Sequence, residues 1–137
     1  MIKPNELRVG NLIIYAGRII TVTAIKKNLI FNGKNFDLNM EPCYEPFRGI
    51  PLTDEILTKW CGFTISPCQG FYFDVDHELQ IYITRNHAIS LINRQDEGEH
   101  YLLRKIRFLH QLQNLYFALT GEELTVNIQK PVAQHIK

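Results

Sequence analysis

The 137 residues hold only three cysteines, Cys43, Cys61 and Cys68. An odd number at no recurring spacing argues against a secreted disulfide framework. No Cys-x-x-Cys or other short zinc-ligand spacing is present either. Apolar runs stay well short of the ~18 residues that a membrane-spanning helix requires. The opening Met1-Ile2-Lys3-Pro4-Asn5-Glu6 lacks the apolar segment of a secretory leader. A cytoplasmic protein that does not engage a membrane is the expectation. An excess of one charge is absent as well: Lys and Arg total 15, Asp and Glu 14, for a formal net charge of +1. Such a balance gives no long-range attraction to nucleic acid or anionic lipid. Gly-x-Gly-x-x-Gly, the Walker loop, His-Glu-x-x-His and the nucleophile elbow are all missing. No cofactor is expected.

Core material is abundant by contrast, with 45% hydrophobic residues against 21% charged, the balance of a globular chain. The length fits one domain, 1–137, with a possible subdivision into a small β-barrel-like unit over 1–40 and an α+β unit over 50–128. Leu12-Ile13-Ile14-Tyr15 reads as a strand, Ala16-Gly17 as a turn, and the β-branched run 19–25 as the returning strand. Leu29-Ile30-Phe31 follows, and Asn32-Gly33 has the chemistry of a type I′ turn into a strand over 34–38. The expectation is an antiparallel meander curled into an SH3-like half barrel, since a flat sheet this small leaves an apolar face uncovered.

After a proline-rich connection, Thr53 is placed to cap a short helix with Asp54 and Glu55 in its first turn. Leu52 and Leu57 are spaced as a hydrophobic staple, and Gly62 as the stop. A second antiparallel meander is expected from Phe71, Phe73 and Val75, then Leu79, Ile81 and Ile83, then residues 87–92, each alternating with more polar neighbours. Residues 93–99 read as an exposed loop, and 100–106 fit a last strand or a helix opening equally well. A long helix then runs to Thr120 with Gly121 as its C-cap. Leu109, Leu112, Leu115, Tyr116, Phe117 and Leu119 cover most of its circumference, leaving a strip of Arg104, Arg107, Gln111, Asn114 and Ala118. That pattern predicts a buried helix. A short edge strand over 124–128 is expected after it. The fold class is therefore α+β.

Three blocks of sequence carry a resemblance. Leu7-Arg8-Val9-Gly10-Asn11, Ile50-Pro51-Leu52-Thr53-Asp54-Glu55-Ile56-Leu57 and His110-Gln111-Leu112-Gln113-Asn114-Leu115-Tyr116-Phe117-Ala118-Leu119-Thr120-Gly121-Glu122-Glu123-Leu124 lie in this order across nearly the whole chain. They resemble a family of small proteins without an assigned activity, from gut Bacteroidetes and their phages or mobile elements. The resemblance implies an origin, and with it an accessory or anti-defence role, but no active-site residues. The region 61–98 matches none of its blocks.

Chemistry-bearing residues are few. Asp74, Asp76, His77 and Glu78, with His87 across a hairpin, are the metal-site candidates, because Asp74, Asp76 and Glu78 share parity in an extended segment. A carboxylate followed by Glu-x-Lys would suit a metal nuclease, but Gln80 stands at the Lys position, and Asp76-His77-Glu78 equally suits a plain turn. The basic first segment, six cations against two acids over residues 1–40 for a net of +4, nominates Arg8, Arg18, Lys26, Lys27 and Lys34 as phosphate contacts. Residues 41–80 carry a net of −5 and the remainder +2, so self-association or a protein partner is an expectation too. On the helix, His110, Gln113 and Asn114 are polar residues at or beside the apolar arc. They tie the helix to backbone or line a small-molecule pocket, since a buried amide must find partners. The leading expectation is a non-enzymatic interaction or structural accessory protein. Nucleic-acid binding through the first strands is the alternative, and a metal-dependent enzyme the third.

Overall fold

β-Branched residues and tight turns build the first strands. The computed structural model describes residues 2, 4–26, 29–31, 42–43, 47–67, 69–93 and 99–128, and of residues 4, 26, 29–31, 42–43 and 99–104 the backbone. A 3₁₀ turn, Pro4–Glu6, precedes β1 (Leu12–Tyr15) and β2 (Arg18–Thr21). These pair antiparallel, Leu12 opposite Thr21 and Tyr15 opposite Arg18. Ala16 and Gly17 join them at φ of +51° and +74°, the two positive values of a type I′ hairpin turn. Gly17 has no Cβ to oppose that conformation, whereas Ala16 adopts it at a cost of about 1–2 kcal/mol.

The run 19–25 does not form one strand. At Val22 the backbone turns to the Gly10–Asn11 corner: Gly10 N–H donates to Val22 O and Val22 N–H to Asn11 O, both at 2.8 Å. β3 (Ala24–Lys26) then starts a separate sheet, β3-β4-β5, with β4 (Leu29–Phe31) and β5 (Pro42–Cys43). β6 (Phe47–Gly49) returns to β1, completing the sheet β2-β1-β6. The Asn32-Gly33 turn and the strand expected over 34–38 lie outside the described residues. Ile2, Leu7, Ile13, Val22 and Phe47 form the core here, with Tyr15 and Ile20 packed against it.

Thr53 Oγ1 accepts the Ile56 N–H at 3.2 Å and so caps the helix that follows. That helix widens into a π-helix, Ile56–Trp60, closed by Cys61 N–H donating to Ile56 O at 3.0 Å. Ile56, Leu57 and Trp60 are buried, and packing holds so short a helix. The second meander is β7 (Thr64–Ile65), β8 (Phe71–Asp74), β9 (Leu79–Ile83), β10 (Ala88–Asn93) and β11 (Glu99–Lys105). The sheet order β11-β10-β9-β8-β7 is an up-and-down antiparallel meander. The undecided segment is thus a strand: Leu91 opposes Tyr101 and Asn93 opposes Glu99.

α1 (Leu109–Thr120) ends at Gly121, whose φ of +74° suits a residue without Cβ and lets its N–H reach Phe117 O at 2.8 Å. Its buried face is narrower than the sequence pattern suggests. Leu109, His110, Leu112 and Gln113 are buried, Leu115, Tyr116 and Leu119 half-buried, and Phe117 exposed. Among the described residues no strand forms over 124–128. There Leu124 is buried and Asn127 N–H donates to Trp60 O at 2.9 Å, which replaces a ladder.

The α+β chain packs as two units. One holds residues up to Pro51 with Phe108–Glu123, the other Leu52–Arg107 with the stretch from Leu124. α1 therefore belongs with the first strands, a different course from a division into 1–40 and 50–128. Hydrogen bonds across more than 100 positions of sequence, described next, account for that.

Candidate functional site

The acidic turn uses its own groups. Asp76 Oδ1 accepts the N–H groups of Glu78 and Leu79, each at 2.8 Å, an Asx turn. Those two bonds hold its carboxyl below the usual range. Asp74 Oδ1 accepts the Gln80 amide at 2.9 Å across the β8–β9 pair. The residue that stands where a nuclease would have Lys is thus Asp74's cross-strand partner. His77 lies in the turn before β9 and His87 in the turn after it, at opposite ends of one strand. His87 holds positive φ (64°) and its Nε2 meets Leu52 O at 3.0 Å. Among the described residues no group of three or more His, Cys, Asp or Glu side chains could hold a metal ion.

Cys61 is buried, and desolvation pushes its thiol up to about 12. Cys68 lies outside the described residues, as does the side chain of Cys43. A raised acid pKa makes the folded state hold its proton where the unfolded chain has lost it. Stability from this group is therefore full below the ordinary value of 9.0 and declines as pH rises from there toward 12. Cys61 in the native protein is expected to resist a disulfide-exchange reagent at pH 8 and to react once denaturant is added. Fast native labelling of Cys61 would contradict its burial.

The basic candidates do not converge. Arg8 is consumed within the first unit: Nη1 donates to Glu123 Oε1 and Nη2 to Glu123 Oε2 (3.0 Å), while its guanidinium lies 4.2 Å from the Phe117 ring centroid. These bonds hold the Glu123 carboxyl below its usual range. A pair this exposed stabilises by only about 0.2–1 kcal/mol, but it covers the face of Phe117. Arg18 is exposed on β2. Lys26 is described by its backbone in β3, and Lys27 and Lys34 lie outside the described residues.

The polar helix residues are bonded to the opening segment. Gln113 Oε1 accepts the buried Leu12 N–H at 2.9 Å and its Nε2 donates to Gly10 O at 3.2 Å. Asn114 Oδ1 accepts from Asn11 Nδ2 (2.8 Å), and its own Nδ2 donates to Glu6 O (3.2 Å). Asn11 is itself fixed, its Oδ1 accepting the Arg8 N–H at 2.7 Å. The segment 6–12 is thus stitched to one side of α1. His110 is different: it is buried, and its Nδ1 has no hydrogen-bond partner.

A feature that the sequence pattern does not mark as a site is the end of the five-stranded sheet. β11 spans seven residues and, among the described residues, pairs on one side alone. Glu99 to Leu102 keep regular register with β10, after which Leu103 and Arg104 together face Ile89, a bulge in β11. The other end, β7, is two residues long and exposed, with Ile65 64% accessible. Edge strands carry unpaired N–H and C=O groups and invite a further strand. Only the ambiguous apolar pattern over 100–106 hints at this, because periodicity does not say which strand ends a sheet.

No protein-family model, curated protein or solved structure matches this chain. Among the described residues no helix is long and apolar enough to cross a membrane.

Proposed function

We propose that this chain is a non-enzymatic interaction protein that adds a strand to its five-stranded sheet at β11, the partner being a second copy of itself. The carrying observation is the regular stretch Glu99 to Leu102 on a seven-residue edge strand. Main-chain bonds at such an edge supply affinity with no catalytic group. Antiparallel pairing of two β11 strands about a two-fold axis gives a closed dimer, the commonest oligomeric symmetry. The bulge at Leu103 and Arg104 limits pairing to one end of the strand and so restricts open-ended growth. The resemblance of three sequence blocks to a family from gut Bacteroidetes and their mobile elements supports an accessory role in the cytoplasm. Nucleic-acid binding through the first strands loses Arg8, which Glu123 and Phe117 occupy.

Light scattering over a concentration series is expected to show a monomer–dimer equilibrium. Neighbouring residues of a strand send their N–H groups to opposite sides. One of the single variants Tyr101→Pro and Leu102→Pro therefore removes an outward donor and leaves the ladder to β10 intact. That variant should be a folded monomer, while the other loses stability. A wild-type monomer at every concentration, or two folded variants that both still dimerise, would overturn the proposal.

A further inference from the structure

We propose that a cleft in the first unit, at the amino-terminal end of α1, binds a small molecule with one oxyanionic group, carboxylate or phosphate, on an apolar body. The cleft measures about 370 Å³, within the size range of metabolite sites and too small for a macromolecule. Arg48, Phe108, His110 and Glu6 line it, with Ile2.

Two features favour negative charge there, and a third leaves a polar group to be satisfied. The first turn of α1 has no acidic residue, and its N-cap, Phe108, makes no side-chain cap to the helix N–H groups. The positive end of this twelve-residue helix therefore meets no carboxylate of its own first turn, although the Leu109 N–H donates to Ile50 O at 2.8 Å and the Phe108 N–H to Gln111 Oε1 at 3.1 Å. His110, 2% accessible, is among the residues that line the cleft; its Nδ1 is itself buried and has no hydrogen-bond partner, and a buried polar atom is normally satisfied. Arg48, exposed at the centre of β6, forms no ion pair among the described residues.

The rest of the lining sets the remainder of the ligand. The Phe108 ring stacks on His110, centroids 5.8 Å apart and 12° from parallel, and with Ile2 it gives an apolar wall. Glu6 shares the lining and disfavours a second negative group. Burial lowers the His110 pKa, against the opposing pull of Glu6, so at neutral pH the ring is neutral and offers one donor and one acceptor. The oxyanion faces Arg48 and the helix end, and the apolar body lies on Phe108.

The test is a titration of the full chain with phenyl phosphate, benzoate and inorganic phosphate, followed by the histidine ring resonances in NMR and by thermal melting. The expected result is a saturable shift of the His110 resonance with phenyl phosphate or benzoate, whichever binds more tightly naming the oxyanion. Arg48→Gln should weaken binding roughly tenfold, the loss of one charge-assisted hydrogen bond, with unchanged melting of the free protein. Arg18→Gln, an equally exposed cation on β2, should not weaken it. His110 is assigned by triple-resonance spectra of the wild-type chain, so no core variant has to fold. Absence of a saturable His110 shift would overturn the proposal, as would equal losses in the two arginine variants. Inorganic phosphate binding as tightly as phenyl phosphate would overturn the apolar part of it.

Discussion

Gln113→Leu is expected to destabilise the first unit by about 2–4 kcal/mol, although it exchanges a polar side chain for an apolar one on a buried helix face. Gln113 is 3% accessible, and its amide is spent on two backbone groups 101 and 103 positions away, the Leu12 N–H and Gly10 C=O. Leucine matches its volume and satisfies neither. Each stranded buried group costs about 1–3 kcal/mol, and the apolar gain offsets a part. Leu12 opens β1, which pairs with both β2 and β6, so the loss falls on the central strand of a sheet. Urea denaturation followed by circular dichroism measures the total, and the exchange rate of the Leu12 amide gives a local reading. Asn114→Ala, whose partners are less buried, should cost less than half as much. A Gln113→Leu protein as stable as wild type, with Leu12 still protected, would show that the amide bonds are incidental.

Trp60→Ala should cost about 3–5 kcal/mol, the loss typical of truncating a buried aromatic. Trp60 is 1% accessible and the largest fully buried side chain of the described residues. It closes the π-helix, and its carbonyl receives the Asn127 N–H, so truncation loosens a helix too short to persist without packing. Its Nε1 is buried without a partner. Trp60→Phe deletes that unsatisfied donor together with one ring, and the two effects oppose each other. The phenylalanine variant should therefore lose well under half of what the alanine variant loses. Thermal or urea unfolding of the two variants checks the order. Equal losses would mean that the indole nitrogen is satisfied in solution.

Local signals carried the strands and helix ends into view. The alternation of Leu79, Ile81 and Ile83 marks β9, Ala16-Gly17 marks the first hairpin, and Thr53 and Gly121 mark a cap and a stop. Each depends on residues within a few positions of one another. What stayed hidden depends on partners far away. Asn114 falls in the polar strip of α1, as a solvent-facing residue would, yet it bonds Asn11 and Glu6. Arg8 counts toward a basic segment, yet Glu123, 115 positions on, takes up its charge. The run 19–25 looks like one strand until Gly10 and Asn11 compete for the backbone of Val22. The cleft was hidden for a similar reason: Arg48 on β6 and His110 on α1 carry no motif and meet through the fold. The acidic turn shows the converse, a residue pattern suited to a metal whose Asp76 and Asp74 are instead used by neighbouring N–H groups and Gln80.

Amide hydrogen exchange across Glu99 to Leu102, compared at low and high protein concentration, tests most directly whether this sheet edge is where the chain meets a partner. The amides bonded to β10 should be slow at both concentrations, and the alternate ones should pass from fast to slow as concentration rises. Outward amides that exchange equally fast at every concentration, in a sample that scattering nonetheless shows to be dimeric, would place the contact elsewhere and contradict the account.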